Sequence, residues 1–147
     1  MLSKQAIHAL KALLELAAEP ERWRSTHELA SAKKLPEPML EQILLRLRRA
    51  GLLVARRGRL GGFRLAMTAE KISIATVLAA VEGTGVKLDT VISCVASSPF
   101  DQVTQGLSRK LDLSQLRELE QISLKELLFD LQSAAAGGDE DKGILTV

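Results

Sequence analysis

The chain has 147 residues, 46% hydrophobic, 26% charged and 3% aromatic, with no Tyr and a formal net charge of +2. That length suits one compact domain or a small domain with an appendage, and the shortage of aromatics calls for an aliphatic, helix-favouring core of Leu, Ala, Ile and Val. The single cysteine, Cys94, excludes an intramolecular disulfide and a CxxC zinc site; no signal peptide is visible and the apolar runs are too short to span a bilayer, so a cytoplasmic protein without membrane contact is expected.

The charge is uneven. Residues 1–83 carry 14 Lys and Arg against 8 Glu, net +6, and residues 84–147 carry 6 against 10 Asp and Glu, net −4. The split points the N-terminal part at a polyanion, although an uneven solvated surface accounts for charge alone equally well.

Residues 3–18 read as an amphipathic helix, with Ala6, Leu10, Leu13, Leu14 and Ala17 on one face and Lys4, His8, Lys11 and Glu15 on the other. Pro20 stops it. Ser25 and Glu28 form a capping box for a short second helix burying Leu29 and Ala32. A third helix starts around Pro36–Pro38, buries Leu40, Ile43, Leu44, Leu47 and Ala50, and ends at Gly51. Two short strands, Leu52–Arg56 and Gly62–Leu65, flank the tip Arg57-Gly58-Arg59-Leu60-Gly61. Helix–helix–helix–strand–strand is the order of a winged helix-turn-helix.

A fourth helix runs from about Ser73 to Glu82. Residues 84–100 read as a loop holding Cys94. From Asp101 to about Leu119, the series Val103, Leu107, Leu111 and Leu116 suggests a longer helix. A last helix begins at Ser123, with Glu126 completing a second capping box, and 134–147 reads as a disordered tail. The expected fold is mostly α with a small β wing. Its parts are a winged helix-turn-helix at 1–83, a loop at 84–100, dimerisation helices at 101–133 and the tail.

Between residues 46 and 64 stand seven arginines and no acid: Arg46, Arg48, Arg49, Arg56, Arg57, Arg59 and Arg64. A duplex asks for this placement, a helix for the major groove and a wing for flanking phosphates or the minor groove. Guanidinium groups bond phosphate or guanine bidentately. Gly58, Gly61 and Gly62 would let the hairpin backbone approach DNA and aim N–H groups at phosphate. The plain alternative is a solubilising helix beside an unrelated hairpin. Gln42 can pair with adenine and Glu41 can accept from cytosine, or both can simply cover the helix surface. His8 reads as solvated and His27 as a first-turn residue. No metal set, Ser/His/Asp order, Walker loop or dinucleotide motif appears, so nothing supports an enzyme.

Several motifs, in order and at matching spacing, are similar to one family. They are Leu2-Ser3-Lys4, Met39–Leu44 with Leu47–Leu52, Arg57–Leu65, Ile72-Ser73 through Gly83, and Ile122–Leu127. The chain resembles the Rrf-two family of bacterial winged-helix repressors, with IscR, NsrR and CymR types, well over 1–83 and loosely over 101–131. The resemblance implies a long C-terminal helix, placed at Asp101–Leu119, that crosses its partner in a dimer. It also implies that Glu41 and Gln42 face the major groove and Arg57 and Arg59 the wing-side groove. The expected DNA-contacting set is Lys4, Ser25, Thr26, Met39, Glu41, Gln42, Arg46, Arg49, Arg56, Arg57, Arg59 and Gly61.

Cluster-binding members carry three cysteines before the long helix, whereas this chain has Cys94 alone, and the NsrR-type Asp ligand falls on Ile7. An iron–sulfur cluster is therefore disfavoured and no cofactor is expected. Cys94 is left as a loop residue without a role, a redox-active thiol, or a weak candidate ligand to an unusual cluster. The expected function is regulation of transcription, by repression, as a homodimer on double-stranded DNA, with an effector or protein partner still to be identified. The other reading is a protein-interaction module docking a partner enzyme or regulator.

Overall fold

In the computed structural model, residues 2–82 and 98–137 are described. They form α1 (Lys4–Ala18), α2 (Thr26–Lys33), α3 (Glu37–Arg49), β1 (Leu53–Arg56), β2 (Gly62–Leu65), a 3-10 turn (Ala69–Lys71), α4 (Ile74–Glu82), α5 (Pro99–Gln121) and α6 (Leu124–Gly137). The mostly helical fold with a two-stranded antiparallel wing is the one the sequence led us to expect.

Serine hydroxyls start five of the six helices, four of them through a single backbone bond. Ser3 Oγ accepts from the Ala6 N–H at 3.1 Å, Ser25 Oγ from Glu28 N–H at 3.1 Å, Ser73 Oγ from Thr76 N–H at 3.2 Å, and Ser123 Oγ from Glu126 N–H at 3.2 Å. The capping box expected at Ser25 is only half made, because Arg24 Nε donates to the Glu28 carboxylate and holds it. A complete box that the sequence reading missed, Ser98 with Asp101, opens α5 at Pro99, so residues 99 and 100 are helical rather than loop. At the other end α6 continues to Gly137 through an alanine run of high helix propensity, so residues 134–137 are helix rather than disordered tail. Cys94, the rest of the expected loop and the tail from 138 lie outside the described residues.

One aliphatic core joins α1, α2, α3, α4 and the base of the wing. Leu13, Leu16, Leu29, Leu40, Ile43, Leu44, Leu47, Leu52, Ile72, Val77 and Leu124 are its fully buried large side chains. Ala30 is buried on α2, while Ala32 and Ala50 are exposed and Leu14 is only half-buried, contrary to expectation. These four positions sit at the margins of their apolar stripes, where the neighbouring element decides burial. Leu124 lies far along the chain and is nevertheless buried. The Leu124 N–H donates to the Ile72 carbonyl at 2.8 Å and the Ile74 N–H to the Ile122 carbonyl at 2.9 Å, stitching the start of α6 to the start of α4. The unit expected to end at residue 83 thus also takes in the first turn of α6.

The long helix α5 buries none of its residues. Phe100, Val103, Leu107 and Leu111 are 73%, 69%, 58% and 58% exposed, and their spacing of three, four and four puts them on one stripe. Leu116 follows Leu111 by five residues, which turns it about 140° away. The expected series of Val103, Leu107, Leu111 and Leu116 therefore breaks at its last member, and Phe100 completes the stripe instead.

Candidate nucleic-acid interface

Lys34 carries the chain from α2 to α3 in the left-handed region at φ 54°, and the Leu35 N–H donates to the Ala30 carbonyl at 2.9 Å. Leu35 is buried, so this tight turn fixes α3 against α2. Because Leu40, Ile43, Leu44 and Leu47 face the core, the opposite side of α3 presents Glu41, Gln42, Leu45, Arg48 and Arg49 to solvent. Leu45, 40% exposed, was not singled out from the sequence; its spacing of three from Gln42 and four from Glu41 and Arg49 is the signal that places it there.

Four expected DNA contacts are engaged within the protein. The Ser25 hydroxyl caps α2. Met39 is half-buried with its sulfur 3.1 Å from His8 Nδ1, so His8 is not the solvated residue expected. Arg46 Nη1 donates to Gln5 Oε1 and to the Val81 carbonyl, both at 3.1 Å, tying α3 to α1 and α4. The Gly61 N–H donates to the Gly58 carbonyl at 3.1 Å, so it closes the turn and is not aimed at phosphate. Lys4, Glu41, Gln42, Arg49, Arg56, Arg57 and Arg59 are exposed, and Thr26 is half-buried as the first residue of α2.

The wing is pinned to the helix-turn-helix by a third extended segment. β1 and β2 pair with Leu53 opposite Leu65 and Arg56 opposite Gly62. Arg24 and Phe63 then exchange both backbone bonds, at 3.0 and 2.7 Å. Gly62, at φ +140°, lies so close that an added Cβ would collide with the Arg24 carbonyl and the Ser25 nitrogen. Gly61 is packed in the same way on the Arg56 carbonyl. The internal closure of the wing itself thus requires these two glycines. Gly58, at φ +110°, has open space around it at the tip.

Arg24 itself is 7% exposed. Its Nη1 pairs with Glu15 of α1 at 3.1 Å and its Nε with Glu28 of α2 at 3.2 Å, while Lys33 also reaches Glu15 at 3.1 Å. Glu15, placed on the solvent face by periodicity, is a partner for a buried cation instead. Burial works to raise the Glu15 pKa, but hydrogen bonds from Lys33 and Arg24, with their charges, outweigh it and hold the carboxyl below its ordinary value.

The paired arginines set off the unpaired ones. Among the described residues, Arg22 and Arg24 meet carboxylates, whereas Arg48, Arg49, Arg56, Arg57, Arg59 and Arg64 form no ion pair. Two of these lie over an aromatic ring that the sequence reading did not single out. The Arg64 and Arg56 guanidinium carbons stand 4.5 and 5.5 Å from the Trp23 ring centroid. The end of α3 and the wing therefore carry a set of cations that no described carboxylate neutralises, next to polar side chains able to read bases.

The donor inventory does not suit an iron–sulfur cluster. Such clusters take four ligands, mostly thiolates, and the chain supplies one cysteine, two in a dimer. Among the described residues, no group of three His, Cys, Asp or Glu stands close enough to hold a metal ion. No described helix is long and apolar enough to cross a membrane.

Known proteins resemble this chain in sequence and in shape. Residues 2–130 match the Rrf2 family, described as iron-dependent transcriptional regulators. A Synechocystis protein named as an HTH-type transcriptional regulator is 34% identical over 140 residues, 95% of each chain. IscR of Cereibacter sphaeroides is 40% identical over 86 residues, 56% of each chain. The solved structure of T. potens IscR superposes with a TM-score of 0.72 at 28% identity, covering 91% of this chain and 90% of its own.

Proposed function

The chain belongs to the Rrf2 family of transcriptional regulators, and from that premise we propose that it is a homodimeric repressor that docks α3 and the wing on operator DNA. The observation that carries this reading is the set of exposed arginines on α3 and the wing that have no carboxylate partner among the described residues. Free guanidinium groups release counterions when they meet phosphate, and that release drives binding. Arg49, Arg56, Arg57 and Arg59 supply general affinity in this reading, together with Arg48 and Arg64, with Lys4 and Thr26 flanking. Glu41, Gln42 and Leu45 choose the sequence, Leu45 through an apolar contact of the kind thymine methyls accept. Ser25, Met39, Arg46 and Gly61 hold the surfaces in place.

Dimerisation rests on the stripe of Phe100, Val103, Leu107 and Leu111, which the described part of one protomer leaves uncovered. Two such stripes crossing at a two-fold axis bury each other and present two α3 helices to two half-sites. Repression follows from steric exclusion by a dimer seated on a promoter. The protein is cytoplasmic and is not an enzyme. Its effector does not work through a thiolate-ligated cluster of the usual composition, since the donors are lacking.

Selection of bound genomic fragments, followed by electrophoretic shifts at several salt concentrations, tests the reading. Enrichment of a few promoter fragments, with affinity falling steeply as salt rises, supports it. Absence of DNA binding at low salt refutes it and leaves a module that docks another protein.

A further inference from the structure

We propose that Trp23 is a positioning residue for DNA: its ring fixes the Arg56 and Arg64 guanidinium groups as a preset pair for one stretch of phosphate backbone at the root of the wing. The proposal rests on the DNA-binding reading and names a part of it that neither the sequence motifs nor the comparisons assign. The backbone register brings the three residues together. Arg24 pairs with Phe63, so Trp23 lies opposite Arg64, and Arg64 lies opposite Val54. Val54 and Arg56 are two apart on β1, so Trp23, Arg64 and Arg56 share one face of the extended wing. The measured ring distances, 4.5 and 5.5 Å, agree.

The chemistry of the contact explains its use. A carboxylate would hold a guanidinium by occupying its N–H fork. An aromatic ring holds it by the flat face and leaves the N–H edges free to donate. Two cations brought to one ring also repel each other, and neither has a carboxylate partner among the described residues. An anion with several oxygens, presented along a duplex backbone, relieves that repulsion and accepts from both forks. Trp23 stands two residues before the Ser25 cap of α2, so the pair sits where the helix-turn-helix joins the wing.

Trp23 is the only tryptophan, so its emission reports this site alone. The test titrates the full-length protein with a labelled random-sequence duplex, following anisotropy and Trp23 emission over a range of salt. Wild type is compared with Trp23→Leu, Trp23→Phe and Arg57→Ala, each checked for fold by circular dichroism. Duplex should shift wild-type Trp23 emission. Trp23→Leu should weaken binding by about 5- to 30-fold, bounded by two partly exposed cation–π contacts, and lower the log–log salt slope by about one to two. Trp23→Phe, which keeps a ring, should fall between, and Arg57→Ala should lower the slope by about one yet keep the emission response. Wild-type affinity and slope in folded Trp23→Leu, or in Trp23→Phe where the leucine variant does not fold, overturn the proposal, as does an unmoved Trp23 emission on saturation. Failure of the wild type to bind any duplex overturns the DNA reading itself.

Discussion

Gly62→Ala is the sharpest test of how the wing is attached. Two costs act together at this position. The φ of +140° is unfavourable for any L side chain, a penalty of about 1–3 kcal/mol. The new Cβ also collides with the Arg24 carbonyl and the Ser25 nitrogen, which are backbone and cannot rotate away. Relief requires breaking the paired Arg24–Phe63 bonds, about 1 kcal/mol each. The sum is about 3–5 kcal/mol. Gly58→Ala, at φ +110° with open space around it, carries only the first cost, about 1–3 kcal/mol. The difference of about 2 kcal/mol should separate the two melting temperatures by about 4–8 °C in a chain of this size. Thermal unfolding by circular dichroism, at one fixed protomer concentration because a dimer's Tm depends on it, reads the difference. Hydrogen exchange at the Phe63 amide should accelerate in Gly62→Ala alone. Equal melting temperatures for the two variants, with the Phe63 amide still protected, would refute the argued contact between wing and helix-turn-helix.

The other predictions concern the dimer, the DNA contacts and acid stability. Leu107→Lys with Leu111→Lys places two charges in the proposed apolar seam and should give monomers or insoluble protein; a folded double variant that stays dimeric by light scattering contradicts the seam. Arg57→Ala and Arg59→Ala should each lower the log–log salt slope by about one on any duplex, while Gln42→Ala should cost about 1–3 kcal/mol at particular base pairs only. Equal weakening on all sequences by Gln42→Ala removes it from base reading. Glu15 is held below its ordinary pKa in the folded chain, so its stabilisation is present above the ordinary carboxylate value and is lost as pH falls through the depressed one. Urea unfolding should therefore show Glu15→Gln weaker than wild type near neutral pH, with the gap closing in acid; a gap independent of pH assigns the effect to packing instead.

Local signals in the sequence carried most of the fold. Ser25, Gly51 and the paired strands around Arg57–Gly61 each act through a few neighbouring residues, so their elements were legible without tertiary context. What escaped depends on residues far apart in the chain. Arg24 is a surface residue by type and becomes buried only because Glu15 and Glu28 converge on it from α1 and α2. Periodicity puts Glu15 on a polar face but does not say which element covers that face. Leu124 looked like part of a separate dimerisation segment until its backbone pairing with Ile72 was seen. Charge clustering located the arginine surface, but not how its members are held: Arg46 is spent on Gln5 and Val81, while Arg56 and Arg64 lie over the Trp23 ring with no carboxylate partner among the described residues.

In the proposed complex, two copies of this chain present α3 and the wing to a two-fold operator. Hydroxyl-radical footprinting of the most enriched genomic fragment, with wild type and with the Arg57→Ala, Arg59→Ala double variant, measures that arrangement directly. Two equal protected halves related by a dyad are expected, with the outer, wing-side protection lost in the double variant and the protection of the sugars flanking the α3 contact retained at lower salt. A single unsymmetrical footprint, or one that the double variant leaves unchanged, would contradict that arrangement.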